Sequence, residues 1–270
     1  MDILQKIVAH KKTEVAEKRN RIPVSELEKK LFFARPALSL KKFLVDPQRT
    51  GIIAEFKRKS PSKGWINEHA QVEQVTTSYA KYASGISVLT DHEFFGGELR
   101  DLESARFNQV PILRKDFIID EYQIVEAKAH GADVILLIAS CLSPKEVWQL
   151  ARKAKEFGLE ILLEIHHEGE LEHICDEVDM VGVNNRNLKT FMVDVNTSIE
   201  LIKNIPANKA AITESGISDV QTIVSLKQAG FKGFLIGENF MKHADPAIAF
   251  ADFVKQLKAT LPSGGRVHEN

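Results

Sequence analysis

The chain has 270 residues, 44% of them hydrophobic, and its 36 basic and 37 acidic side chains leave a formal net charge of -1. That balance is ordinary for a globular protein and offers no bulk charge for a nucleic-acid or membrane partner. Two distant cysteines, Cys141 and Cys175, stand in no metal-ligand spacing and fit a reducing cytoplasm, and neither a signal peptide nor a run of about 18 apolar residues is present.

Taken in chain order, Ile3, Leu4, Ile7, Val8 and Val15 share one face of a helix, and a second helix is predicted over Val24–Phe33. Eight short apolar runs follow: Gly51–Glu55, Ile86–Leu89, Val110–Arg114, Val134–Ile138, Glu160–Ile165, Met180–Val183, Ala210–Thr213 and Gly233–Ile236. Most are continuously apolar, as parallel strands covered on both faces must be. Helices are predicted between them. Capping boxes are read at Ser143–Glu146, Thr197–Glu200 and Ser218–Gln221, and an N-cap with an N1 proline at Asp245-Pro246. Gly85, Gly131, Gly158 and Gly230 each precede a strand, where a helix C-terminus needs a left-handed residue.

Eight strands alternating with helices can close into a (βα)8 barrel or lie open as a doubly wound sheet. The barrel is favoured, because no Gly-x-Gly-x-x-Gly follows the first strand and charged residues end many strands instead of meeting at one switch point. The expected organisation is a single domain: residues 1–48 as a helical extension capping the barrel, 49–257 as the barrel, and 258–270 as a disordered tail.

The charges at strand ends carry the functional reading, since burying an unpaired carboxylate or ammonium is costly. Glu55 and Lys57 lie two apart on the first strand, ahead of the basic loop Arg58–Gly64, which reads either as a cationic lip or as a solvated loop. Lys115 ends strand three and Glu164 ends strand five; they form either an acid–base pair or a buried ion pair. Asn184, Asn185 and Arg186 suit an anion, or else a plain turn. Glu214-Ser215-Gly216-Ile217 and Gly237-Glu238 follow strands seven and eight, the loops that bind phosphate in such barrels; the competing reading is that both glycines serve tight turns, and Glu238 is an awkward neighbour for an anion. His166, His167, Glu170 and His173 match no metal signature and are read as a solvated loop and helix start. Cys141 is read as a small hydrophobe, with no histidine partner in view.

These residues carry a resemblance. Ile53–Gly64 resembles the first-strand signature of indole-3-glycerol-phosphate synthases. Ser87–Asp91, Leu113–Ile118, Leu163–Ile165, Gly182–Leu188, Glu214–Ile217 and Leu235–Glu238 follow that family's motifs in order, over residues 1–257. The resemblance implies a monofunctional carboxy-lyase that closes the indole ring of 1-(2-carboxyphenylamino)-1-deoxyribulose 5-phosphate in tryptophan biosynthesis, with no cofactor or metal. It implies Lys115 as general acid, Glu164 as acid–base carboxylate, and Glu55 and Asn184 as orienting groups, with Lys57 neutralising carboxylate or phosphate. Ser215, Gly216, Gly237 and the Glu238 amide would bind phosphate. Phe95, Phe117, Leu136 and Leu188 would wall the aromatic ring, and Ser60 would close the first loop. Arg186, Glu214 and Leu235 complete the implied substrate site. Phe56, where an aliphatic residue is commoner, is expected to face outward. An isomerase of the same pathway would resemble a cysteine and aspartate pair instead, and a silent ligand binder would have lost a catalytic position. A phosphorylated small molecule is thus the expected partner; oligomeric state stays open, with a monomer as the default.

Overall fold

Strands buried on both faces need a cover on each side, and a closed parallel barrel ringed by helices supplies it. The computed structural model describes residues 3–188 and 190–260. Its barrel strands are β1 (Ile52–Phe56), β2 (Gly85–Leu89), β3 (Ile112–Lys115), β4 (Val134–Ile138), β5 (Glu160–Ile165), β6 (Met180–Asn184), β7 (Ala210–Glu214) and β8 (Gly233–Ile236). All are parallel, each pairs with its sequence neighbours, and β8 returns to β1 to close the ring. Strands β1, β3, β6 and β7 each run one residue past the end of the apolar run, so that Lys115, Asn184 and Glu214 belong to the ladder itself. A charge can end a strand there because the ladder satisfies its backbone while its side chain points into the barrel mouth.

Two apolar layers divide the core. One lies between barrel and helices and holds Phe56, packed outward as expected. The other fills the barrel interior with Ile53, Leu113, Leu162 and Ile212 among others.

The extension meets both ends of the barrel. Helix α1 (Ile3–Arg21) reaches the C-terminal mouth, whereas α3 (Leu40–Val45) drives Leu40 and Leu44 into the interior layer from below. The second helix is shorter than its pattern: α2 covers only Val24–Leu27, and irregular turns follow to residue 35. Leu27 is buried but Leu31 is 83% exposed, so no apolar stripe extends the helix.

The stop and start signals are corrected in three places. Gly131, Gly158 and Gly230 are left-handed, but Gly85 is not; a Cβ there would lie 2.6 Å from Leu40 Cδ1, so that glycine makes room for α3. Ser143 forms its capping box with Glu146, while Asp219, one residue later than predicted, caps the helix Val220–Ala229. Thr197 caps nothing: its helix starts at Asn196, and the Asn196 amide donates to Asp194 Oδ1 at 3.0 Å. Helix Pro246–Thr260 begins as read, and residues 261–270 of the expected tail lie outside the described residues.

Candidate active site

The barrel register decides which side chains meet. Glu55, Lys115, Glu164 and Glu214 come from the four odd strands and point inward at one level, where such barrels stack four side chains from alternate strands. This level holds three carboxylates and one ammonium in place of aliphatic side chains. Below it lie Ser87, Leu136, Gly182 and Leu235; above it lie Leu89, Ile138, Asn184 and Gly237. Gly182 makes space for Glu214, whose Oε1 would sit 3.1 Å from an added Cβ.

Lys115 Nζ donates to Glu164 Oε2 at 2.8 Å and to Glu214 Oε2 at 2.5 Å. Burial by itself disfavours its charge, but Glu164, Glu214 and Glu55 outweigh burial and raise its affinity for the proton above that of an ordinary lysine. Burial also raises Glu164, but the charge and hydrogen bond of Lys115 and His166 prevail and keep it well below the usual carboxylate range. Glu214 moves the other way: burial and the nearby Glu164 charge push it up to about 7 despite Lys115. Two carboxyls on one ammonium thus have separated proton affinities, the pattern that lets one stay ionised while the other carries a proton near neutrality. The buried ion pair is present, and it faces an open cavity, so its groups are accessible to a bound molecule.

Lys57 Nζ lies 2.7 Å from Glu55 Oε1. Asn184 Nδ2 donates to Glu164 Oε1 at 3.1 Å, while Asn184 Oδ1 accepts from Ser215 Oγ at 2.8 Å and the Arg186 amide at 2.9 Å. Asn184 is therefore fixed between the charged level and the loop after β7. Asn185 turns into the wall instead, donating to Thr213 Oγ1 and the Ser215 carbonyl, both at 3.0 Å.

Around these groups lies a cavity of about 330 Å3, within the range of small-molecule sites. The full set Glu55, Lys57, Lys115, Glu164, Asn184, Ser60, Phe95, Phe117, Leu136, Arg186, Leu188, Glu214, Ser215, Gly216, Leu235, Gly237 and Glu238 lines it. The Phe95 and Phe117 rings stand 5.9 Å apart and make an aromatic wall. On the opposite rim Ser215 and Gly216 have φ of 68° and 76°. A non-glycine residue in that conformation is strained and is held only by its surroundings, here the bonds to Asn184 and Asn185. Gly237 is needed for packing as much as for any turn: a Cβ there would lie 2.4 Å from Glu55 Oε1. Glu238 turns its carboxylate toward Lys63 at 2.6 Å and Arg186 at 3.8 Å, which removes the conflict with an anion at its amide. Lys63 thus draws the basic loop across the mouth.

Two features escape the sequence reading. Ile3, Leu4 and Ile7 of α1 line the cavity, so the extension supplies wall as well as cover. The segment read as solvated is largely packed: Glu170 and His173 are buried in a 3-10 turn (Glu168–His173), and His166 Nε2 lies 3.2 Å from Glu164 Oε1. Its parity was the available signal, since His166 follows Glu164 by two residues along the same strand direction. Cys141 packs against both core layers, as a small hydrophobe does.

The comparisons bear on this site. The family model described as indole-3-glycerol phosphate synthase matches residues 4–253. A Bacteroides thetaiotaomicron protein named indole-3-glycerol phosphate synthase is 47% identical over 95% of this chain and 99% of its own length. A protein of the same name from Thermoanaerobacter pseudethanolicus is 43% identical, over 95% and 98%. Among solved structures, the tryptophan synthase complex from Pyrococcus furiosus aligns with a TM-score of 0.58 at 16% identity, over 78% of this chain and 99% of that one. 3-Hexulose-6-phosphate synthase from Salmonella typhimurium gives 0.57 at 14%, over 78% and 99%. At such identities those two likenesses speak to the barrel fold alone.

Proposed function

We propose, from the premise that this chain belongs to the indole-3-glycerol phosphate synthase family, carboxy-lyases of tryptophan biosynthesis, that its charged level performs the ring closure. The substrate, 1-(2-carboxyphenylamino)-1-deoxyribulose 5-phosphate, lays its ring between Phe95, Phe117, Leu136 and Leu188. Its phosphate takes the amides of Ser215, Gly216, Gly237 and Glu238. Leu235 floors the pocket, Arg186 adds positive charge at the phosphate rim, and Ser60 brings the first loop over the bound molecule. This assignment spans both halves of an amphipathic substrate, an apolar wall and an amide-rich rim.

In the reaction the ring carbon bearing the carboxylate attacks the ketone, and Lys115 gives its proton to the carbonyl oxygen as charge develops there. Carbon dioxide leaves, and its bonding electrons restore the aromatic ring. The hydroxyl then departs as water on a proton from Lys57, and Glu164 takes the proton shed by the neighbouring carbon. Glu55 and Asn184 orient the hydroxyl and amine, and Glu214 holds Lys115 in place from the other side. The observation that carries this reading is Lys115 clamped between Glu164 and Glu214 at one level of the barrel, open to an aromatic-walled cavity. The same proposal takes the extension and barrel as one working unit, monomeric and cytoplasmic. Among the described residues no helix is long and apolar enough to cross a membrane.

The test is turnover of the purified protein with chelator present, followed by the fluorescence of indoleglycerol phosphate. Product formation without added metal is the expected result. Dephosphorylated substrate is expected to bind far more weakly; equal affinity removes Ser215, Gly216 and Gly237 from the site. Gly237→Ala is a further check, since its Cβ must push Glu55 away from Lys57. Displacements of about 1 Å in a catalytic array cost about 10²-fold, and a loss of that order in kcat/KM with an unchanged far-UV spectrum is expected. Wild-type turnover in the alanine variant would show that Glu55 tolerates the shift.

A further inference from the structure

His166 stands outside the cavity wall, behind the carboxylate that the mechanism uses. Its side chain is 9% exposed, with Nε2 3.2 Å from Glu164 Oε1 and Nδ1 3.4 Å from Glu170 Oε2. Nδ1 also lies 3.2 Å from Ser140 Oγ, and that hydroxyl donates its proton to Glu170 Oε1, which leaves its oxygen free to accept. Glu170 is fixed in turn by the His166 backbone amide, which donates to Oε2 at 2.6 Å. Nδ1 therefore has acceptors within hydrogen-bond reach, and Nε2, which makes no hydrogen bond of its own, lies at ion-pair distance from Glu164 Oε1, a contact that is attractive when the imidazole is charged.

We propose that His166 is a positioning residue for Glu164: an imidazolium pinned by Glu170 and Ser140 that holds Oε1 from behind and leaves Oε2 directed at Lys115 and the substrate. The inference rests on the reading of Glu164 as the acid–base carboxylate. It gives Glu164 a second cation that substrate binding does not disturb. When substrate draws on Lys115, His166 keeps Glu164 ionised. The charged and polar groups facing Glu164 are Lys115 from β3, Asn184 from β6, Glu214 from β7, the Glu55–Lys57 pair from β1, and His166 itself. Of these groups all but His166 line the cavity. On the outer side Glu170 also meets the exposed His167 at 3.5 Å. Burial opposes the charge of His166, but Glu164 and Glu170 prevail and push it up to about 10, in keeping with this geometry.

The experiment compares kcat against pH for wild type, His166→Gln and Glu164→Gln. An opposite charge at this range shifts a carboxyl by about one unit or more. Removing it lets Glu164 take up a proton at higher pH, so the acid limb of the His166→Gln profile is expected to rise by about one unit. On that acid limb its kcat is expected to lie up to about tenfold below wild type at the same pH, while near neutrality, where Glu164 stays ionised in both proteins, kcat and KM are expected nearly unchanged. A lowered melting temperature with an unmoved acid limb would mean a merely structural role and overturn the proposal. Glu164→Gln separates the two levels. A loss of about 10²-fold there, beside an unaltered His166→Gln, defeats this inference alone; wild-type kcat in Glu164→Gln defeats both it and the reading of Glu164. Independently of any variant, histidine NMR of the wild-type protein is expected to show one imidazole still doubly protonated at about pH 8, where an ordinary histidine is neutral. Neutrality of every histidine at that pH would overturn the assignment.

Discussion

Lys115→Ala is expected to lower kcat by about 10⁴-fold, the upper end of what a positioned proton donor contributes, while KM changes little. The small effect on KM follows from the division of labour in the cavity. In the proposed mechanism ring and phosphate contacts come from other elements, and the lysine acts where charge develops in the transition state. The size of the loss has a second source. Lys115 is the shared partner of Glu164 and Glu214, at 2.8 and 2.5 Å. Without it, three carboxyls remain at one level, and Glu214, already pushed up to about 7, and Glu164 both gain affinity for protons. Residual activity should therefore decline on the acid side at a higher pH than in wild type. Steady-state kinetics across pH measure both effects. A variant with near wild-type kcat would withdraw the assignment of Lys115 as general acid.

Lys11→Met is expected to destabilise the protein by about 3 to 5 kcal/mol at pH 7, the usual result of stripping one partner from a buried ionic group. Lys11 is 1% exposed, and its Nζ lies 2.8 Å from Glu14, 2.9 Å from Asp91 and 3.0 Å from Asp116. Asp91 caps the helix His92–Phe95 after β2, and Asp116 directly follows Lys115. Asp116 also accepts from Thr90 at 2.6 Å and pairs with Arg114 at 3.1 Å. One lysine on α1 thus clamps the extension to the ends of two barrel strands. Burial disfavours the charge on Lys11, yet the three carboxylates hold its proton more tightly than usual; Asp116, raised by burial, is kept low by Lys11 and Arg114. The depressed Asp116 contributes stability above its unfolded value of about 4, and that contribution is lost as pH falls. The raised Lys11 contributes below about 10 and loses it as pH rises. The gap between wild type and Lys11→Met should therefore be widest between those limits and narrow toward acid. Urea unfolding at pH 7 and at about pH 2.5, inside the window where the Asp116 contribution is being lost, tests this. An equal gap at both would place the cost in packing instead of charge.

Lys11 also shows why part of the site was hidden in the sequence. Ile7, Lys11 and Val15 fall four apart on one helical face, and all three are buried. Spacing alone marked that face, but among the neighbours His10, Lys11, Lys12 and Glu14 a single inward lysine reads like the rest of a solvated surface. Beyond the local Glu14, its partners Asp91 and Asp116 follow strands some 80 and 100 residues later, and nothing local in the sequence signals those two. His166 was missed for a related reason. A histidine-rich stretch with no metal spacing looks like a loop until β5 carries its side chain back against Glu164.

The rest was legible because it is local. Eight continuous apolar runs could be recognised as doubly covered strands, and the charges at their ends as a shared mouth, since burial without partners would be prohibitive. The order of motifs carried the family, and with it the roles proposed for Lys115, Glu164 and the glycine turns after β7 and β8. Sequence by itself determined which residue types stand at the strand ends, and so the kind of reaction the barrel can run. Tertiary structure alone decided which of them share a level, that Glu214 rises while Glu164 falls, that Asn185 turns into the wall while Asn184 faces the cavity, and that α1 supplies part of the cavity wall. Those outcomes depend on register around a closed ring and on dielectric and charge a few ångströms away, quantities fixed by residues far apart in the chain.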